Sequence, residues 1–332
     1  MTALLSAENL VKQFTVRGGL LAEKRQLTAV AGLDLELFPG ETLGLAGESG
    51  CGKSTVARLL TGLTPPTQGT IRYAGRDLSG MDRGELALFR KDVQMIFQDP
   101  FSSLNPRMRV SEIIGEPLAI HRIGGAGQRR ERVAALMERV GLSADQLSRF
   151  PHEFSGGQRQ RIGIARALAV SPRLIIADEP VSALDLSIQA QIINLLQEVK
   201  DELQLSFLFI THDLSVLRHL SDRIAIMYLG RIVETGRRDE LLEAPLHPYT
   251  EALLSAVPSI DPEKRRRRLI AKGELPSPLS PPSGCPFHPR CPYAQGICSE
   301  KRPELLEKEG GEPGHRAACH FSEKIYRSQG SF

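Results

Sequence analysis

Short apolar runs bounded by polar or turn residues recur through the first 230 or so positions, at 42–45, 93–97, 174–177, 206–210 and 223–227. Each is too brief for an amphipathic helix and reads as a buried strand. Longer stretches with apolar residues at helical spacing lie between several of them, among them 54–62 and 186–203. Strands alternating with crossover helices predict an α/β domain on a mostly parallel sheet. The stretch 110–150 breaks the alternation. SEIIGEPLAIH and QRRERVAALMERVG are helical in pattern with no strand between them, which predicts a helical insertion.

Beyond Gly236 the pattern changes. Residues 239–256 remain compatible with helix, interrupted near Pro245 and Pro248, and 13 of the 22 prolines lie from Pro245 onward. A basic run at 264–268 follows, expected as a solvated linker or, if it binds, as a contact for anionic headgroups or an acidic partner surface. The proline-rich GELPSPLSPPSG is expected to be extended. The reading is a nucleotide-type core over 1–256 and a smaller appendage over 257–332.

Composition narrows the class. The 332 residues are 41% hydrophobic and 24% charged, values of a soluble globular protein and not of a disordered or collagen-like chain. A net charge of +3 is too slight to argue for nucleic acid as a partner. No run approaches the 18 or so apolar residues of a membrane span. The start, MTALLSAENLVKQF, lacks a basic n-region and carries Glu8 and Asn9 where a signal peptide would be apolar. The expectation is a chain that stays in the cytosol, whatever it docks onto.

The strongest chemical signal is Gly47-Glu48-Ser49-Gly50-Cys51-Gly52-Lys53-Ser54, followed by Thr55. This G-x-x-x-x-G-K-[ST] run sits between a predicted strand and a predicted helix. Glycines let backbone N–H groups curl around phosphate oxygens, aided by the positive end of the helix. Lys53 would reach the β- and γ-phosphates and Ser54 would ligate Mg²⁺. Cys51 sits among these donors and needs no redox role. A second signal is the apolar run 174–177 ending in Asp178 and Glu179. Asp178 at a strand end facing the phosphate loop can hold Mg²⁺, and Glu179 can act as base toward water.

With Phe154-Ser155-Gly156-Gly157-Gln158-Arg159-Gln160-Arg161 the sequence resembles the ATP-binding-cassette (ABC) ATPases, whose signature this run matches. The order of further motifs agrees: Phe14 where the family stacks an aromatic on adenine, Gln98 in FQDP, Ser182-Ala183-Leu184-Asp185 after the acids, and His212 in ITHD. The resemblance implies an ABC-type fold: a mostly parallel sheet with an antiparallel β part, and a helical subdomain at about 105–165. It implies ATP and Mg²⁺ as ligands, with Ser54, Gln98 and Asp178 around the metal. Gln98 would sense Mg²⁺ and the attacking water and link to a membrane subunit, while His212 would contact the γ-phosphate. Asp185 would communicate across a dimer. Ser155, Gly156, Gly157 and Gln158 would close over ATP bound to the opposite subunit, so a working unit needs two cassettes. His121, His152 and His219 are expected to be structural.

Longer phrases narrow the resemblance. FQDPFSSLNPRMRVSEIIGEPL, ADEPVSALDLSIQAQIINLL, APLHPYTEALLSAVP and GELPSPLSPPSGCPFHPRC are similar to ATP-binding subunits of dipeptide, oligopeptide and nickel importers, and Gly157-Gln158-Arg159 with Pro180-Val181-Ser182 to the F-type cassette of the dipeptide permeases. Such importers imply a second ATPase subunit, two permease subunits and an extracytoplasmic binding protein, with this chain peripheral at the cytoplasmic face of the inner membrane. Nickel and glutathione importers share most of these phrases. A soluble, non-transport ABC ATPase is the less favoured alternative.

Four cysteines, Cys285, Cys291, Cys298 and Cys319, spread as C-x5-C-x6-C-x20-C. The spacing alone chooses no metal: four thiolates could surround Zn²⁺ or an iron–sulfur cluster. The resemblance favours a [4Fe–4S] cluster on these four residues. A redox or iron sensor that gates the ATPase is compatible with the same ligands.

Overall fold

The computed structural model describes residues 2–17, 24–256, 273–307 and 313–322. The basic run at 264–268 lies outside the described residues. The chain forms two compact units, drawn from the described residues within Met1–Leu5, Leu37–Thr42 and Arg72–Ile210, and within Ser6–Glu36, Leu43–Ile71 and Thr211–Phe332.

In the first unit three strands run parallel. Leu174–Asp178 pairs with Val93–Ile96 on one side and Ser206–Thr211 on the other. The middle strand, LIIAD, is buried at every position, which is why it is apolar without alternation. The helical insertion forms as expected. Helix Val110–Ile120 buries Val110, Ile113, Ile114 and Leu118, while Ala126–Arg139 buries Val133, Leu136 and Met137, each set at helical spacing. Helix Leu186–Leu203 buries Ile192, Leu195, Leu196 and Val199. It stops at Gln204, whose left-handed φ of 52° turns its N–H back onto the Lys200 carbonyl.

In the second unit the strand Thr42–Ala46 pairs in parallel with Arg223–Tyr228 from Leu43 onward, and the phosphate loop leaves its C-terminal end. Arg223–Tyr228 continues into Arg231–Arg237 as an antiparallel hairpin. Its two connecting residues, Leu229 and Gly230, both have positive φ (43° and 78°), the twist that a two-residue hairpin requires. The tail adds edge strands: Arg316–Ala317 pairs with Glu234 and Thr235, and Leu306–Glu307 pairs with Arg316–Ala317. A separate sheet places Leu5–Arg17 between Lys24–Leu37 and Gln68–Tyr73. The proline-rich stretch from 273 to 284 carries no helix or strand.

Candidate active site

The second unit carries the phosphate loop. Gly52 caps helix Lys53–Leu60 with φ 111°, and a Cβ there would lie 2.2 Å from the Ala29 carbonyl oxygen, so only glycine fits. A Cβ at Gly47 would meet the Met227 carbonyl oxygen at 2.2 Å. Gly50, also at positive φ (81°), completes the turn. The Lys53 ammonium is buried and donates to the carbonyls of Gly47 (2.8 Å) and Glu48 (3.1 Å), so the loop holds its own cation in place. Ser54 and Thr55 begin the helix, half-buried beside the loop. Ser49 is exposed, while the Cys51 thiol is buried and its pKa is pushed up chiefly by burial, which keeps it protonated. Phe14 projects from its strand, 40% exposed, with the Lys12 ammonium 5.3 Å from the ring centre. An exposed face suits stacking on a flat ligand better than a core position would. His212 follows strand Ser206–Thr211 directly and is exposed.

The first unit carries the acids. Asp178 ends the central strand, Glu179 follows it, and both are buried. The Gln98 side-chain amide donates to the Glu179 carboxylate at 3.1 Å. Glu179 has φ 45°, an uncommon conformation for a non-glycine residue. Its N–H donates to the Ile210 carbonyl (2.9 Å), and its own carbonyl accepts from the Ser182 hydroxyl (3.1 Å). Ser155 is the N-cap of helix Gly156–Leu168 and forms a capping box with Gln158: its hydroxyl accepts from the Gln158 N–H, and the Gln158 side-chain oxygen accepts from the Ser155 N–H. Gly156 and Gly157 form the first turn. Gly157 sits close under Ile188, where a Cβ would come within 2.5 Å of that side chain. Asp185 is the N-cap of Leu186–Leu203, and the next residue, Leu186, is 82% exposed. His152 stacks on Phe150, His121 closes helix Val110–Ile120, and His219 lies in the last turn of Leu214–Leu220.

The four C-terminal cysteines converge. Cys285, Cys291, Cys298 and Cys319 line one pocket in the second unit, with His247, His288 and His320 also on its wall. The Cys285 N–H donates to the Cys298 carbonyl at 2.8 Å. Burial pushes the Cys291 thiol up to about 12, and the charges that Cys319, Cys285 and Cys298 would carry push it the same way. No set of three or more His, Cys, Asp or Glu among the described residues is arranged to hold a single metal ion.

Three features escape sequence reasoning. Glu234, fully buried, accepts from the N–H groups of Leu246 (2.7 Å) and His247 (2.9 Å) and contacts His315 Nε2 at 2.8 Å. His247 accepts the Tyr249 N–H on Nδ1, and burial depresses its pKa to about 3, so it stays neutral. Arg290 forms a bidentate ion pair with Glu48 of the phosphate loop. His247 and Tyr249 lie in the phrase LHPYT and Arg290 in CPFHPRC, but neither phrase indicated these contacts.

Comparison with known proteins agrees with this chemistry. Residues 30–182 match the ABC transporter family model, and residues 233–298 match the oligopeptide/dipeptide transporter C-terminal region. The chain is 52% identical over 322 residues to the oligopeptide transport ATP-binding protein AppF of Bacillus subtilis, covering 96% of this chain and 97% of that one. It is 48% identical over 307 residues to the dipeptide transport ATP-binding protein DppF of Escherichia coli, 92% of each. A solved dimeric post-hydrolysis state of the ATP-binding cassette MJ0796, bound to ADP and Pi, superposes with a TM-score of 0.63 at 28% identity over 70% of this chain and 98% of that one. Fold and motifs define a P-loop ATPase of the ABC class. Within it, the chain belongs to the family of ATP-binding subunits of oligopeptide and dipeptide ABC transporters.

Proposed function

We propose that this chain hydrolyses ATP to drive import of dipeptides or oligopeptides across the cytoplasmic membrane. It works as one cassette of a heterodimer, with a second ATPase subunit, two permease subunits and an extracytoplasmic binding protein. The observation that carries this reading is identity near 50% along almost the whole chain, C-terminal region included, to proteins named for oligopeptide and dipeptide transport. No helix among the described residues is long and apolar enough to cross a membrane, so the reading assigns membrane attachment to the permease subunits. Phe97 and Phe101, exposed on either side of Gln98 and Asp99, offer apolar surface for that docking.

In this reading Lys53 and the loop N–H groups bind the β- and γ-phosphates, Phe14 stacks on the adenine, and His212 steadies the γ-phosphate. Glu179, aimed by Gln98, takes a proton from the attacking water. Asp178 and Ser54 carry the hard oxygen donors that Mg²⁺ prefers, and with Gln98 they would hold it; the ion supplies positive charge to the phosphate oxygens. Ser155 to Gln158 present a capped helix N-terminus, an anion site, to the ATP of the opposite cassette. The single signature and single phosphate loop in the chain support the two-cassette arrangement.

The convergent cysteines support the further reading of a [4Fe–4S] cluster held by Cys285, Cys291, Cys298 and Cys319. A cluster spaces its thiolate ligands farther apart than one zinc ion does, and the apolar pocket wall would keep water from the sulfurs. Anaerobic purification of the tagged chain from its native membranes tests the assembly: recovery of a second cassette and two permeases supports it, and a lone cytosolic chain overturns it. Brown colour with bound iron supports the cluster; colourless protein containing zinc overturns it.

A further inference from the structure

The C-terminal region grips one phosphate-loop residue twice. Tyr249 accepts the backbone N–H of Glu48 on its hydroxyl oxygen at 2.8 Å. The Arg290 guanidinium takes the Glu48 carboxylate in a fork, Nη1 to Oε2 at 2.9 Å and Nη2 to Oε1 at 3.0 Å. The Arg290 side chain is only 9% exposed and that of Glu48 28%, so the pair is not a freely solvated surface bridge. Arg290 is held in turn. It ends the short 3₁₀ turn His288–Arg290, whose backbone bonds run back to Cys285 and Phe287, and it directly precedes Cys291. Its guanidinium lies 5.9 Å from the ring centres of both Tyr228 and Phe287, and these rings pack on Tyr249.

Glu48 poses an electrostatic problem that Arg290 solves. A carboxylate in a loop built to hold polyphosphate repels its ligand, at a range where the repulsion is felt. Paired with a guanidinium, the same side chain becomes neutral in sum and a fixed anchor for the loop backbone. Both sides of the Arg290 turn belong to the cysteine pocket, with Cys285 before it and Cys291 immediately after. Whatever loosens that pocket therefore releases the guanidinium and uncovers the charge of Glu48.

We propose that Arg290 is a positioning residue for nucleotide binding, and that through it the four-cysteine pocket sets the affinity of the phosphate loop for ATP. This rests on the ATP-site reading above and adds regulation to it. The packing of the pocket is then reported to the ATP site over one residue step, without a separate regulatory domain.

The test is the dissociation constant of mant-ATP, with Mg²⁺, for the full-length chain. Arg290→Met is expected to weaken binding about tenfold, equivalent to roughly 1.4 kcal/mol. Cys291→Ser is expected to weaken it in the same direction, and the double variant to bind no worse than Arg290→Met alone, since both act through one contact. Glu48→Gln in the Arg290→Met background is expected to restore most of the loss, because it removes the uncovered charge; a role limited to holding the fold gives no such rescue. An unchanged constant in Arg290→Met, or a Cys291→Ser factor equally large with and without Arg290, overturns the coupling. Should Arg290→Met not fold, the Cys291→Ser factor is measured in wild-type and Glu48→Gln chains, and an equal factor in both overturns it. Absence of mant-ATP binding by the wild-type chain overturns the ATP-site reading itself, and is thereby distinct from failure of the coupling alone.

Discussion

The Gln98 amide donates to the Glu179 carboxylate at 3.1 Å, joining the end of one strand to the end of its parallel neighbour. Glu179 also holds a left-handed backbone conformation, pinned by the Ile210 carbonyl and by Ser182. In the proposed mechanism a carboxylate held this firmly serves the chemical step more than binding. Glu179→Gln is expected to keep mant-ATP affinity while lowering phosphate release by about a hundredfold or more. Gln98→Ala, which frees the carboxylate but leaves it present, is expected to cause a smaller loss. Steady-state phosphate release in the assembled transporter checks both.

Gly52 tolerates no side chain. Its φ of 111° and the 2.2 Å approach of the Ala29 oxygen to a Cβ put Gly52→Ala in backbone strain and steric conflict together. The variant is expected to lose nucleotide binding and to melt at least about 5 °C lower. Thermal unfolding followed by circular dichroism, with and without ATP, checks this.

Ser155 caps its helix and, in the proposed assembly, meets ATP on the opposite cassette. Ser155→Ala removes an N-cap whose loss costs about 1 kcal/mol. It is expected to leave mant-ATP binding to the isolated chain unchanged and to abolish turnover in the heterodimer. Comparing the two assays separates capping from contact in trans.

His247 gives the molecule an acid limit. Burial holds its pKa near 3 in the folded chain against an ordinary 6.5. Between those values the unfolded chain binds more protons, so stability falls as pH drops. The contribution is complete above pH 6.5 and is lost progressively toward pH 3. Denaturant midpoints measured from pH 7 to pH 4 are expected to fall, and to fall less in a His247→Asn chain.

Much of the first unit was legible because its code is local. The strand at 174–177 and the helix at 186–203 form where their apolar spacing puts them, the helix within Leu186–Leu203 and the strand lengthened by Asp178. The insertion helices also follow their spacing. The long strands Leu5–Arg17 and Lys24–Leu37 leave no such trace: they are partly exposed and mix charged with apolar positions. The tail strands exist only because Arg231–Arg237 offers them an edge, a pairing that joins Glu234 to Ala317. The run 47–54 falls on a strand-to-helix turn, Asp178 at a strand end and Ser155 at a helix N-cap, where motif spacing predicted such turns. The Arg290–Glu48 pair spans 242 residues and depends on a fold that brings the ends together, so no periodicity announces it.

In the proposed function ATP hydrolysis by this chain powers peptide import. The direct measurement is uptake of a radiolabelled dipeptide into proteoliposomes holding the two permeases, the second cassette and the binding protein, with ATP on the cassette side. Wild-type chain is expected to give ATP-dependent accumulation and Glu179→Gln chain to give none at equal assembly. Equal uptake with the two chains, or phosphate release that no peptide stimulates, contradicts coupling of hydrolysis to import.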